Sequence, residues 1–141
     1  MKQFKEEIRT ALDADSKNRE FLFRRGYLLT SRAFNDLDQY PFYGLWECVP
    51  LDRYSLYVQQ KQTFYVARRS SLSIALIGHA YNPFDGKWME NDICEDLLDA
   101  YQQGEDAYFE KVSELTGLHV IILVENGRIT ACQDACGLTG W

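Results

Sequence analysis

The sequence has no apolar run that approaches the ~18 residues of a membrane-spanning helix. Its first seven residues are mostly charged or polar and contain no apolar signal core. It also lacks the glycine-rich loops GxGxxG and GxxxxGKS, with which many enzymes hold nucleotide phosphates. We therefore expect a cytoplasmic protein with no membrane partner and no cofactor.

Basic side chains are too few for a typical nucleic-acid-binding protein. Lys and Arg number 15 against 21 Asp and Glu, so the formal net charge is −6. Phosphate backbones are attracted by clustered positive charge, and the basic clusters here are the pairs Arg24-Arg25 and Arg68-Arg69. Both pairs lie in strand-like sequence and are typical of solvated strand faces, so no nucleic-acid partner is expected.

The sequence contains four cysteines, Cys48, Cys94, Cys132 and Cys136. The last two have the spacing C-x-x-x-C, which differs from the CxxC of a zinc knuckle. No second ligand pair accompanies them, and only His79 and His119 could add imidazoles. A lone histidine on an apolar strand is usually structural. We therefore expect no metal site and reduced, mostly buried thiols.

Apolar periodicity predicts three segments in the first part of the chain. Over residues 3–14 apolar side chains recur four positions apart, which predicts a helix. Residues 20–30 are rich in Phe, Leu and Tyr and predict a strand. Residues 35–50 contain two prolines and a glycine and predict a loop.

From residue 54 onward the pattern predicts an antiparallel α+β fold. Alternation predicts five strands, of which the third is apolar on both faces and should lie centrally in its sheet. Helical spacing predicts two helices paired on one outer side, the first capped by Asn91 or Asp92 and the second ended by Gly117. Asn126-Gly127 predicts a hairpin turn. The predicted strands are 54–60, 63–69, 72–79, 118–124 and 128–134, and the predicted helices are 92–102 and 105–116.

Four short motifs in the second half stand in a recognisable order. The stretch Ile77–Asn82 resembles the Gly-x-x-Tyr-Asn strand end of class II glutamine amidotransferases, and Asn91–Tyr101 resembles the helix that follows it. Leu115–Ile121 and Asp134–Gly137 resemble the Leu-x-Gly-x-Phe and Asp-x-x-Gly motifs of the next two strands. The set covers residues 72–141. It is most similar to the asparagine-synthase-related proteins of bacteria, in which this domain precedes an ATP-using synthetase domain.

The resemblance implies an Ntn hydrolase-like fold, a four-layer αββα sandwich of antiparallel sheets that pack face to face. We expect residues 1–141 to form a single degenerate domain of this type, incomplete at its C-terminal end. The missing part would lie beside the strand at 128–134, because Asp134-x-x-Gly137 leads into a further strand in the family. An uncovered sheet edge favours self-association, so a homodimer is also expected.

The resemblance also implies a remnant of a glutamine-binding pocket. Its residues are Gly78, His79, Tyr81, Asn82, Asp92, Asp134 and Gly137. Ile77 stands where the family has an oxyanion-hole amide, and its side chain has no donor. His79 stands where the family has a fixed negative charge. A better register places Ile93, rather than Asp92, at the family's acidic position.

The nucleophile of the family is missing at the start of the chain. The glutaminase reaction needs an N-terminal cysteine whose own α-amine acts as the base. Here no Cys, Ser or Thr precedes Thr10. Cleavage before Cys48 would leave too few residues before Tyr81 for the strands that the family places there. We therefore expect no catalytic residue, and a rerouted nucleophile at Cys48 or Cys136 is the enzymatic alternative.

These observations predict a non-catalytic glutamine amidotransferase-like domain. Its partner would be an ATP-dependent, amide-forming synthetase domain, whose Ser-Gly-Gly-x-Asp-Ser loop does not occur in this chain. The role of residues 1–141 would then be structural support. The alternative is a stand-alone scaffold that binds a small ligand or a partner protein.

Overall fold

The computed structural model describes residues 2–32, 34 and 46–137. It is an α+β structure with two antiparallel sheets, and the chain divides into two compact units, Met1–Gln62 and Thr63–Trp141. The prediction of a single domain with face-packed sheets stays a prediction. Among the described residues the elements are α1 (Lys2–Ala14), α2 (Ser16–Phe21), β1 (Tyr27–Thr30), β2 (Trp46–Leu51), β3 (Tyr54–Gln59), β4 (Phe64–Arg69), β5 (Leu72–Tyr81), α3 (Glu90–Gln103), α4 (Glu105–Ser113), β6 (Thr116–Glu125) and β7 (Arg128–Gln133).

The first unit contains α1, α2 and a three-stranded antiparallel sheet. Its strand order is β1-β3-β2, so β3 is central and pairs on both sides. Leu56, Tyr57 and Val58 of β3 are accordingly buried. The hairpin between β2 and β3 turns at Asp52, whose φ of 55° is a left-handed conformation that Asp tolerates better than most residues.

The predicted strand over residues 20–30 is wrong in its first part. Residues up to Phe21 belong to α2, which begins after Asp15, whose Oδ1 accepts a hydrogen bond from the Lys17 amide at 2.9 Å. Phe23 then takes a left-handed φ of 52°, and the Gly26 amide bonds back to its carbonyl at 2.6 Å. The aromatic content of this segment resembled a strand, but the cap and the turn leave only Tyr27–Thr30 extended.

The predicted loop over residues 35–50 is wrong for its last five residues. Trp46–Leu51 forms β2, an edge strand of the first sheet, while residues 35–45 lie outside the described part of the chain. Pro50 was one reason for predicting a loop. A proline is tolerated on an edge strand, because its missing amide N–H is not required on the solvent side.

The second unit contains a four-stranded antiparallel sheet in the order β4-β5-β6-β7, covered on one face by α3 and α4. The four strands predicted here, and the one predicted over 54–60 that forms β3 of the first unit, are present within two residues of their predicted ends, and β5 is central as expected. Both predicted helices are present and pack on each other, and α3 also packs on β4 and β5. The core between helices and sheet is fully buried at Ile74, Leu76, Leu97, Tyr108 and Ile121.

Two predictions on the helix ends are wrong. The N-cap of α3 is Met89, which makes no side-chain capping bond, rather than Asn91 or Asp92. The C-cap of α4 is Glu114, in a right-handed conformation, and Gly117 lies inside β6. Acidic residues in the first turns of both helices still match the positive end of the helix dipole.

All four cysteines are described and are free thiols. Cys94 is fully buried on α3, and this burial raises the pKa of its thiol to about 12. Cys132 is half-buried on β7, and burial raises its pKa as well. Cys48 and Cys136 are exposed, so the prediction of mostly buried thiols is wrong for these two.

Within residues 2–32, 34 and 46–137, no helix is both long enough and apolar enough to cross a bilayer. β7 lies at the edge of the described sheet. The predicted homodimer through this edge, and the missing part beside it, stay predictions.

Candidate functional site

Two glycines of the β5–β6 ladder, Gly78 and Gly117, approach the backbone of the opposite strand closely near the end of β5. Gly78 has a φ of +95° and Gly117 a φ of +120°, and residues other than glycine rarely adopt such values. A Cβ atom on Gly78 would lie 2.2 Å from the Leu118 carbonyl oxygen, and one on Gly117 would lie 2.3 Å from the His79 carbonyl oxygen. The contacting atoms are backbone and have little room to yield. Gly78, predicted as a pocket residue, therefore has a packing role here.

Asn82 is the first residue of the loop after β5, and its side chain holds that loop closed. It is 1% exposed. Its Oδ1 accepts a hydrogen bond from the Phe84 amide at 2.9 Å, an Asx turn, and its Nδ2 donates to Glu114 Oε2 at 2.9 Å. Its backbone N–H donates to the Lys87 carbonyl at 2.8 Å, and its carbonyl accepts from the Gly86 amide at 2.9 Å.

Charged side chains link this loop to the two helices. Lys111 Nζ lies 2.8 Å from Glu114 Oε2 and 3.4 Å from Asp85 Oδ2, while Lys87 Nζ lies 2.5 Å from Asp96 Oδ2. The hydrogen bond from Lys111 lowers the pKa of Glu114 below its usual range, and the hydrogen bond from Asn82 adds a smaller effect in the same direction. The network therefore favours an ionised Glu114 as the acceptor for the buried Asn82 amide.

A cavity of about 360 Å³ lies beside the same network. Both lysines of the network, Lys87 and Lys111, line it together with acidic and small residues of α3 and α4. The two lysines pair with Asp85, Asp96 and Glu114. Because five carboxylates line the cavity against these two lysines, its wall has a net excess of negative charge.

His79 and Tyr81 point outward from the end of β5. The His79 side chain is 71% exposed, and its Nδ1 lies 2.9 Å from Glu90 Oε1 at the start of α3. Tyr81 is 42% exposed. Neither residue lines the cavity beside the Asn82 network.

The third stretch of predicted site residues forms a turn after β7. Asp134 is 4% exposed, and its Oδ1 accepts from the Cys136 amide at 3.1 Å. The Gly137 amide donates to the Asp134 carbonyl at 2.9 Å, and Gly137 has a left-handed φ of 60°. The Asp134 amide donates to the His119 carbonyl at 3.0 Å. Desolvation lowers the pKa of buried His119, opposed by the charge of Asp134.

The predicted pocket residues are thus divided among separate places in the second unit. No protein-family model, curated protein or solved structure compared with this chain matches it.

Asp92 is exposed on the first turn of α3 and accepts a hydrogen bond from Asn91 at 3.0 Å, while its neighbour Ile93 is buried in the core. The side chains of Asn82, Asp92 and Asp134 thus make their hydrogen bonds to other residues of this chain.

The two histidines do not meet to form a site. His79 pairs in register with Leu118, and His119 pairs with Gly78. Adjacent residues of a strand face opposite sides of the sheet, and the 71% exposure of the His79 side chain contrasts with 1% for His119. Among the residues that the structure describes, no group of three or more His, Cys, Asp or Glu side chains is arranged to hold a metal ion.

Sequence reasoning missed two partners that complete this region. Gly117 is predicted at a helix end, but it lies in β6, where a Cβ atom would meet the carbonyl oxygen of His79, the residue after Gly78. Glu114 was not singled out, because it lies 32 positions from Asn82 in the sequence. Its spacing of i+3 from Lys111 at the end of α4 was the available signal.

Proposed function

We propose that this chain is a non-catalytic, glutamine amidotransferase-like domain of a bacterial asparagine-synthase-related protein. In this proposal it has an Ntn-type αββα fold, resides in the cytoplasm, and provides structural support for an ATP-dependent, amide-forming synthetase domain. The order of the motifs between Ile77 and Gly137 carries the family assignment.

The observation that best supports a structural role is the use made of Asn82. Both polar atoms of its side chain bond within the chain, to the Phe84 amide and to Glu114, and the residue is 1% exposed. A residue that binds an amide substrate must direct donors or acceptors to that substrate. Asn82 instead stabilises the loop that joins the sheet to α3.

Ile77 and Gly78 also support a structural role. Ile77, at the position of the oxyanion donor, is 3% exposed inside the sheet and has no polar atom in its side chain. Stabilising an oxyanion requires preorganised donors. Gly78 keeps its glycine because the Leu118 carbonyl fills the space beside it. A substrate carbonyl placed here would therefore contact packed backbone rather than a hydrogen-bond donor.

A glutaminase assay tests the non-catalytic part of the proposal. The purified chain is expected to release no ammonia from glutamine above the buffer background, because it lacks the N-terminal thiol and the oxyanion donor. Cys48 and Cys136 are both exposed, so each is the control for a rerouted nucleophile. Turnover that Cys48→Ala or Cys136→Ala abolishes would contradict the proposal.

The supporting role is tested separately by the DNA that flanks the coding region. The proposal expects an associated reading frame that encodes the Ser-Gly-Gly-x-Asp-Ser loop of a synthetase. The product of that frame, co-expressed with this chain, should co-purify with it. If this chain stays monomeric and does not co-purify with the synthetase, the supporting role is wrong, even if the chain releases no ammonia from glutamine.

A further inference from the structure

The loop between β5 and α3 exposes large apolar side chains at one end of the second unit. Phe84 is 79% exposed, Trp88 68% and Met89 44%, and Tyr81 at the end of β5 is 42% exposed. We call these four residues the aromatic loop surface. Isolated exposed apolar residues are ordinary, but a set this close in the chain marks an interaction surface more often than chance.

Contacts on both sides of the loop hold its two ends close to each other. The Asn82 amide bonds to the Lys87 carbonyl, so Trp88 follows directly after the point where the loop closes. The His79–Glu90 contact joins the strand end to the start of α3. Trp88 and Met89 therefore lie between two fixed contacts, Asn82–Lys87 and His79–Glu90.

The loop is also preorganised. Its closure uses four hydrogen bonds of Asn82 and a bond of 3.0 Å from the Lys87 amide to Asp85 Oδ1. A surface whose backbone is fixed before binding loses less conformational entropy on association. Trp and Tyr are, in addition, the side chains that most often dominate binding energy at protein interfaces.

The surroundings of the surface are acidic. Three of the five carboxylates between positions 81 and 96 pair with cations: Asp85 with Lys111, Asp96 with Lys87 and Glu95 with Arg69. Glu90 and Asp92, at the start of α3 beside Met89, have no Lys or Arg partner among the ion pairs of the described residues. Such a field repels nucleic acids and anionic lipid headgroups and attracts basic protein segments.

We propose that the aromatic loop surface docks a protein segment in which apolar side chains are flanked by Lys or Arg. The apolar side chains of that segment cover Phe84 and Trp88, and its cations face the carboxylates around them. The inference does not rest on the proposed function, since it uses only exposure, loop closure and charge. Four side chains of this size offer a small interface, so the affinity is expected on the order of micromolar.

Selection from a random peptide library displayed on phage, against the immobilised chain, tests the proposal. Enriched peptides should combine Lys or Arg with aromatic or aliphatic residues. A synthetic copy of an enriched peptide, measured by fluorescence polarisation, should lose at least about tenfold in affinity on Trp88→Ser. Raised salt should weaken its binding, because the attraction is partly between exposed charges.

The matched control is Ile129→Ser. Ile129 is also an exposed apolar residue, at 39%, but it pairs with Val124 near the far end of β6 from Leu118. It lies about 20 Å from the aromatic loop surface by strand geometry, so its substitution should leave peptide affinity unchanged. Circular dichroism of each variant checks that the fold is retained.

Four outcomes would overturn the inference. They are a library that yields no enriched peptide, a consensus that is acidic or uncharged, equal binding by the Trp88→Ser and parent chains, and co-sedimentation with phosphatidylcholine–phosphatidylglycerol vesicles that Trp88→Ser abolishes. The last result would assign the surface to a membrane instead. None of them bears on the glutaminase assay or on co-purification with a synthetase.

Discussion

Gly78→Ala is expected to lower the free energy of unfolding of the second unit by about 3–5 kcal/mol. The left-handed φ of +95° would cost an L-residue ~1–2 kcal/mol. The added Cβ would also lie 2.2 Å from the Leu118 carbonyl oxygen, which belongs to a paired strand and cannot move without breaking the β5–β6 ladder. Urea denaturation followed by circular dichroism measures the change.

Gly86→Ala is the matched control for this substitution. Gly86 also has a positive φ, +73°, but a Cβ there meets no atom within 4 Å. Only the conformational cost of ~1–2 kcal/mol should remain. If both variants lost the same stability, the interlocking of Gly78 with β6 would contribute nothing. The assignment of Gly78 to packing would then be wrong.

Asn82→Ala should destabilise the second unit by about 2–3 kcal/mol, because the groups that bond to the buried Asn82 side chain lose their partner without replacement. The substitution leaves the Phe84 amide without its acceptor and removes the hydrogen bond to Glu114. The loop should also close less often. Amide hydrogen exchange at Phe84 and Gly86 should therefore speed up by more than the loss of global stability explains.

Asn91→Ala is the control for the loss of an asparagine. Asn91 is half-buried at the start of α3, and its side chain bonds only to its neighbour Asp92 among the contacts that the structure describes. A change within ~0.5 kcal/mol is expected, as for most surface substitutions. Equal losses for Asn82→Ala and Asn91→Ala would show that the loop does not depend on Asn82.

Most elements of the second unit were predictable from the sequence because their periodicity is strong. β5 and β6 are apolar on both faces, and Asn126-Gly127 sets the hairpin to β7 at positions that leave little choice of register. The helices follow the spacing of their buried residues. In each case local pattern and burial agree, which is when sequence reasoning works best.

The errors occur where a few residues override a wider pattern. An apolar run at Phe21–Phe23 indicates a strand, but the cap at Asp15 and the left-handed Phe23 continue a helix and then turn the chain. Pro50 indicates a loop, yet β2 accepts it as an edge strand. Both outcomes depend on which neighbours a segment finds, which the local sequence does not record.

The candidate site was predictable in its members but not in their roles. Gly78, Asn82 and Asp134 were singled out, and each has a specific backbone or hydrogen-bonding duty. Leu118 and Glu114, which meet Gly78 and Asn82, come from other elements far along the chain. Whether a polar residue faces a substrate or another element depends on such pairings, which the local sequence does not record.

Titration of the ¹⁵N-labelled chain with L-glutamine, followed by NMR, tests most directly whether the predicted pocket residues serve only the fold. We predict that the backbone resonances of Gly78, His79, Tyr81 and Asn82 do not shift up to millimolar glutamine, because the Asn82 side chain is already bonded within the chain, the Leu118 carbonyl packs against Gly78, and the side chains of His79 and Tyr81 face outward. D-Glutamine is the matched control for non-specific effects. Saturable shifts confined to these residues, with the L-isomer alone, would contradict the account and restore a glutamine site at the end of β5.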